Sequence, residues 1–170
     1  MIEGVEYFSP FRQSDERGEF VKLFSSPWTK LEPWNLEETF YSTSKRGVVR
    51  GLHLQVGESA NWRLISVIEG EIFDVLYDLR NGSPTEGKTM VRFMSEAETC
   101  SVLIPPGVAH GFQAVTDCIT LYQSSKHYMP DWDFGINIEA IQIDWPIEPR
   151  IISLRDRNLP MVKDWKRFEE

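Results

Sequence analysis

The sequence predicts an all-β protein, a jelly roll or barrel, on two observations. Its middle is a series of short segments rich in Val, Ile, Phe, Tyr and Thr, cut by Gly, Pro, Asn or Asp at the intervals of antiparallel sheet. Helical periodicity, by contrast, is hard to find before the tail. Together they favour a barrel over a mixed sheet.

Taken in order, strands are expected at 18–24, 38–44, 47–55, 62–69, 71–79, 88–94, 100–104, 110–115 and 117–123. Between the fourth and fifth, Glu69-Gly70-Glu71 joins Leu64, Val67 and Ile68 to Ile72, Phe73 and Val75, which reads as a tight hairpin turning on Gly70. Asn81-Gly82-Ser83-Pro84 makes the next turn. In the tail, Ser153-Leu154-Arg155-Asp156 and residues 160–169 each suit a short helical turn. Lacking an internal repeat, linker or low-complexity stretch, residues 1–170 stand as one domain. Its barrel core is expected over about 18–130, with a C-terminal segment, 131–170, packed on it.

Composition narrows the function. A chain of 170 residues, 41% hydrophobic, buries one core. With 26 acidic against 18 basic residues the net charge is −8, which argues against a surface for nucleic acid; an anionic ligand must meet a local basic cluster. No apolar run approaches the roughly 20 residues that span a bilayer. The start, MIEGVEYFSP, lacks the basic-then-apolar order of a signal peptide, so a cytoplasmic protein without membrane contact is expected. Cys100 and Cys118 lie in apolar segments without CxxC spacing and read as buried thiols. Trp28, Trp34, Trp62, Trp132, Trp145 and Trp165 suit core or subunit interface, and a small barrel with open edge strands suggests a homodimer.

The three histidines differ in setting. His53 lies in Arg50-Gly51-Leu52-His53-Leu54-Gln55, where strand alternation puts His53, Gly51 and Gln55 on one face and Arg50, Leu52 and Leu54 on the other. On these residues alone it is a base or a hydrogen-bonded structural histidine. His110 follows the Pro-Gly turn of Ile104-Pro105-Pro106-Gly107-Val108-Ala109 and could be a ligand, a base or a packing residue. His127, in Ser124-Ser125-Lys126-His127, reads as a solvated loop residue. His53 lacks a second histidine two residues on, so the paired metal ligands of one strand are missing and no metal site is expected. Neither cysteine nor any serine sits in a nucleophile elbow, and glycine-rich phosphate loops are absent. A candidate base, a candidate phenolic acid and several arginines remain, which suits proton transfer.

These motifs resemble one family, the dTDP-4-dehydrorhamnose 3,5-epimerases and their sugar-nucleotide relatives, a branch of the cupin fold. The resemblance runs from Asp15-Glu16-Arg17-Gly18-Glu19-Phe20 through Gly47-Val48-Val49-Arg50-Gly51-Leu52-His53-Leu54-Gln55 to Asp78-Leu79-Arg80 with Ser83-Pro84-Thr85. It continues through Ile104-Pro105-Pro106-Gly107-Val108-Ala109-His110-Gly111-Phe112, Tyr122 with Tyr128-Met129-Pro130, Ile143-Asp144-Trp145-Pro146 and Ile152-Ser153-Leu154-Arg155-Asp156. It implies a cupin-type jelly-roll β-barrel with short C-terminal helical turns, acting as a homodimeric, cofactor-independent epimerase. The implied substrate is a nucleotide-linked 4-keto-6-deoxyhexose, inverted at C3, C5 or both, on the route to a deoxysugar for surface polysaccharide or a glycosylated metabolite.

By that resemblance His53 is the general base, Asp156 orients and stabilises its imidazolium, and Tyr122 protonates the opposite face of the sugar. Arg17 and Arg50 match positions that hold the diphosphate. Phe20 and Tyr128 match those that sandwich the base, one of them supplied by the partner subunit. His110 has a counterpart near the sugar, and Gln55 closes the histidine motif on the substrate-binding side.

The chain also departs from the family. Arg63, in Asn61-Trp62-Arg63-Leu64, stands where lysine is usual; it can steady an enolate but is bulkier. Lys22 replaces the usual glutamate, and the family's glutamine and asparagine fall on Glu38 and Phe40. Thymine offers an N3 donor and an O4 acceptor, and cytosine inverts both; Lys22 and Glu38 invert the protein side likewise, so a CDP-sugar is expected over a dTDP-sugar. Two other readings stay open: a ketoisomerase that moves the carbonyl through the same enolate, and a cupin that binds a sugar nucleotide without turnover.

Overall fold

The computed structural model describes residues 1–29, 35–148 and 150–165. Trp34 and the end of the expected 160–169 helix lie outside the described residues. The strands are β1 (Glu6–Phe8), β2 (Phe11–Asp15), β3 (Gly18–Lys22), β4 (Glu38–Ser44), β5 (Val48–Gln55), β6 (Arg63–Glu69), β7 (Glu71–Asp78), β8 (Thr89–Ser95), β9 (Ser101–Ile104), β10 (Val108–Ala114), β11 (Cys118–Ser124), β12 (Asp133–Gly135) and β13 (Ile151–Ile152). Two helical turns follow, α1 (Leu154–Arg157) and α2 (Val162–Trp165).

One sheet runs β1-β9-β6-β11-β4 and the other β12-β5-β10-β7-β8, with β13 also paired to β5; β2 and β3 form a separate hairpin. The two main sheets face each other as a jelly-roll barrel, the fold class expected. Between them lies a core that includes Ile65, Val67, Ile72, Leu76, Val102, Ile104 and Phe112. A second core, with Val49, Leu52, Leu54, Val75, Ile136, Ile138 and Trp165, packs the C-terminal segment over the outer face of the second sheet. That sheet is therefore covered on both sides, which is why β10 is buried at every residue.

Two expectations need correction. Glu69-Gly70-Glu71 is no hairpin: β6 and β7 belong to different sheets. Gly70, at φ +83°, turns a corner of the barrel, and a side chain there would meet Asp117 O at 2.3 Å. Second, Arg50 and His53 do not point to opposite faces, because both line the central cavity. Pairing of β10 with β5 passes from His110↔His53 to Phe112↔Arg50, so β5 carries one extra residue. Gly51 absorbs it at φ +112°, and a Cβ there would come within 2.6 Å of Gly111 Cα. Beyond this bulge Leu52 and Leu54 face the outer core, while His53 and Gln55 rejoin Arg50 on the inside.

Candidate active site

A cavity of about 590 Å³, within the usual range for small-molecule sites, opens between the two sheets. Of the expected site residues, Glu38, Arg50, His53, Gln55, Arg63, His110, Tyr122, Tyr128 and Asp156 line it. Arg17, Phe20 and Lys22 do not; all three lie on the exposed β2–β3 hairpin. There the Arg17 guanidinium is paired with Asp15.

His53 is on the inner face of β5, its side chain 29% exposed to the cavity. Its Nε2 is 2.7 Å from Asp156 Oδ1, and Asp156 is almost fully buried. The carboxylate reaches this place because Ser153 caps α1, its Oγ accepting the Asp156 N–H at 3.0 Å. Asp156 Oδ2 in turn accepts the Gly51 N–H at 3.3 Å. Burial pushes the Asp156 carboxyl up, but the bond and charge of His53, the Gly51 N–H and the charge of Arg155 outweigh it and hold the group below its ordinary value. Asp156 thus stays an anion behind the ring. With Nε2 engaged, Nδ1 is the ring nitrogen left for a ligand.

Tyr122 enters from the opposite sheet, on β11. Its ring stacks on Phe40, with centroids 4.7 Å apart and planes at 7°. Thr120 Oγ1 donates to its hydroxyl at 3.3 Å. Burial raises its pKa, and hydroxyl contacts with Thr120 and Ser42 only partly oppose this, so the phenol carries its proton at neutral pH.

Arg63, at the start of β6, crosses between the sheets. It donates to His53 O at 3.0 Å and to Val108 O at 2.6 Å, bracing the two strands that carry His53 and His110. Desolvation pushes its pKa down to about 10, against the pull of Tyr122, Asp133 and Asp74, and it remains a cation. A guanidinium has five N–H donors; two go to the carbonyls and the Nε–H is buried without a partner, which leaves one on each terminal nitrogen for a ligand.

Other residues build the walls. Arg50 is tied to β4 through Ser44 Oγ at 2.9 Å and Thr43 O at 3.0 Å, which aims its charge at the mouth. The Gln55 amide donates to Met129 O and accepts from Met129 N, so it anchors the segment bearing Tyr128. Tyr128 and Arg155 both donate to Asp133 Oδ2, at 2.9 and 2.6 Å. Behind His110, sequence reasoning missed a buried support: Asp74 accepts from His110 Nε2 at 2.7 Å and from the Tyr7 hydroxyl at 2.8 Å. A carboxylate inside the apolar run Glu71-Ile72-Phe73-Asp74-Val75-Leu76 was the available signal. Among the described residues no group of three or more His, Cys, Asp and Glu side chains could hold a metal ion.

An imidazole–carboxylate pair and a protonated phenol, meeting from facing sheets inside a jelly roll, define a cupin-type barrel built for acid–base chemistry. The family model for dTDP-4-dehydrorhamnose 3,5-epimerase matches residues 1–164. A dTDP-4-dehydrorhamnose 3,5-epimerase of Methanothermobacter thermautotrophicus is 39% identical, the match covering 99% of this chain and 92% of that one. The crystal structure of the Sulfolobus tokodaii dTDP-4-dehydrorhamnose 3,5-epimerase superposes with a TM-score of 0.88 at 38% identity, covering 95% of this chain and 92% of that one. The Legionella pneumophila dTDP-6-deoxy-D-glucose-3,5-epimerase, solved in complex with dTDP-4-keto-L-rhamnose, superposes with a TM-score of 0.86 at 29% identity, covering 96% and 90%. This chain belongs to the dTDP-4-dehydrorhamnose 3,5-epimerase family.

Proposed function

We propose that this chain is an epimerase that inverts C3, C5 or both in a nucleotide-linked 4-keto-6-deoxyhexose, by taking a proton from one face and returning one to the other. The observation that carries the reading is the pairing of a carboxylate-held imidazole with a buried, protonated phenol across one cavity. His53 Nδ1 abstracts the proton next to the ketone, and Asp156 stabilises the imidazolium. The enolate charge at O4 falls to the free N–H groups of Arg63. Tyr122 delivers a proton to the opposite face. Arg50 at the mouth holds the diphosphate, Tyr128 stacks on the base, Glu38 contacts it, and His110 supports the sugar.

A homodimer completes the site in this reading. Arg17, Phe20 and Lys22 sit on a hairpin that projects exposed Phe11 and Phe20, and each hairpin serves the partner's cavity. Buried, unpaired Cys100 and Cys118 suit the reducing cytoplasm. The relatives named above favour dTDP as the nucleotide. The CDP expectation needs Lys22 and Glu38 in one cavity: Glu38 lines the cavity of its own chain, and Lys22 reaches a cavity only where a partner's hairpin supplies it. Competition between dTDP and CDP decides; tighter CDP binding would restore the inverted pair.

Proton-exchange NMR in heavy water with dTDP- and CDP-4-keto-6-deoxyglucose tests the reading. Deuterium at C3 or C5 with an inverted product supports it, and a protein that exchanges nothing is a binder. A product with a displaced carbonyl is the mark of a ketoisomerase.

A further inference from the structure

Phe40 has no part in the chemistry above, yet its ring is stacked on the phenol. It stands directly opposite Tyr122 in the β4–β11 ladder, and the two rings lie face to face. The next pair on that face is Ser42 opposite Thr120, whose hydroxyls are 2.9 Å apart, with Thr120 donating to the phenol oxygen. Tyr122 is thus held at two places, its ring by Phe40 and its tip by the hydroxyls. Phe40 is not a core residue: β4 is an edge strand, and the side chain is 48% exposed at the cavity wall. An aromatic left half in water and laid flat on the phenol is placed for the phenol.

Resting on the epimerase reading, we infer that Phe40 is a positioning residue for the second half of the reaction. It fixes the Tyr122 hydroxyl on the face of the sugar away from His53 and takes no part in the first proton removal. In that first half a C–H bond breaks, its proton goes to His53 Nδ1, and its electrons become the carbon–carbon double bond of an enolate charged at O4. In the second half the Tyr122 O–H bond breaks as a C–H bond forms on the opposite face. Water then reprotonates the phenolate and takes the proton from His53. Abstraction depends on His53, Asp156 and Arg63, which come from β5, α1 and β6. Reprotonation alone depends on where the phenol lies, and small misplacements of a reacting group are costly.

Phe40→Leu tests this in heavy water, with deuterium entry and inversion followed together by NMR on the full-length protein. Deuterium entry is expected to stay at the wild-type rate. The yield of inverted product per exchange should fall about three- to tenfold, the value of one aromatic stack expressed as a rate. Recovered substrate then carries deuterium with its configuration retained. Phe40→Tyr and Phe40→Trp should restore inversion. In a Tyr122→Phe background, Phe40→Leu should cost nothing further, since the phenol it positions is gone. Loss of deuterium entry in step with inversion, or an equal further loss in that background, overturns the inference. So does Phe40→Leu inverting like wild type. A wild-type protein that exchanges nothing overturns the epimerase reading and this inference with it.

Discussion

Among the groups facing the cavity, burial raises the Tyr122 phenol and lowers the Arg63 guanidinium, and neighbours hold the Asp156 carboxyl down against its burial. Asp156 is held below its ordinary value, so its ionised form supports the fold and orients His53 above that value, and both contributions fade as pH falls through the lowered one. Asp156→Asn should keep the fold but cut deuterium exchange by about a hundredfold or more, as expected for a base left without its charged orienter. His53→Asn should abolish exchange at every carbon, whereas Tyr122→Phe should leave exchange and impair inversion at one centre; NMR in heavy water reads both. Arg63→Lys restores the family's usual side chain, but an ammonium at that reach cannot hold both carbonyls. A loss of about 1–3 kcal/mol in urea unfolding is expected for the carbonyl left bare. His53 stood out in the sequence as a polar ring on an apolar strand, whereas the roles of Tyr122 and Arg63 and the pairing of Asp156 with His53, 103 residues apart, rested on resemblance. Phe40 stood out only as a departure, at the place of a family asparagine; its stacking on the phenol gave no sign, since an aromatic on a strand is an ordinary core residue until its partner is known.

Among the elements, the bulge in β5 matters most. It aligns Arg50 with His53, and it exists because Gly51 and Gly111 let two strands approach: a Cβ at Gly111 would stand 2.5 Å from Arg50 O. Gly111→Ala should therefore cost about 1–3 kcal/mol and activity together, measured by thermal melting and exchange. The turn after β7 is pinned differently. Burial raises the Asp78 carboxyl, but bonds from Arg80, Thr85 and Ser83 prevail and lower it from 3.8 to about 2. Its stabilising effect is full above the ordinary value and is lost as pH falls toward 2, so the stability gap between wild type and Asp78→Asn should close between about pH 4 and 2 in urea titrations. Nine strands were readable because alternation and turn residues mark them. The short β1, β12 and β13 were not, since three residues or fewer carry no period and their pairing comes from strands far away; nor was the five-residue β2, a mostly polar and exposed strand without apolar alternation. For the same reason Gly70 read as a hairpin: a tight glycine turn looks alike whether the chain stays in one sheet or crosses to the other.

At the scale of the whole molecule, the hairpin and the tail do opposite jobs. The hairpin leaves its own barrel, and if it serves a second copy, light scattering should show a dimer. Mixing Arg17→Ala with His53→Asn protomers should then regain activity that neither has alone, because one cavity per mixed dimer would be intact. The tail returns: β12, β13 and α1 all dock along β5, covering the outer core and ending with the carboxylate behind the imidazole. A polypeptide still on the ribosome, or one cut short by a stop codon before Ser153, would therefore carry a barrel, a phenol and a cation but an unsupported base. The pocket and the power to remove a proton are thus separable in the fold: a chain lacking α1 keeps the first and loses the support of the second.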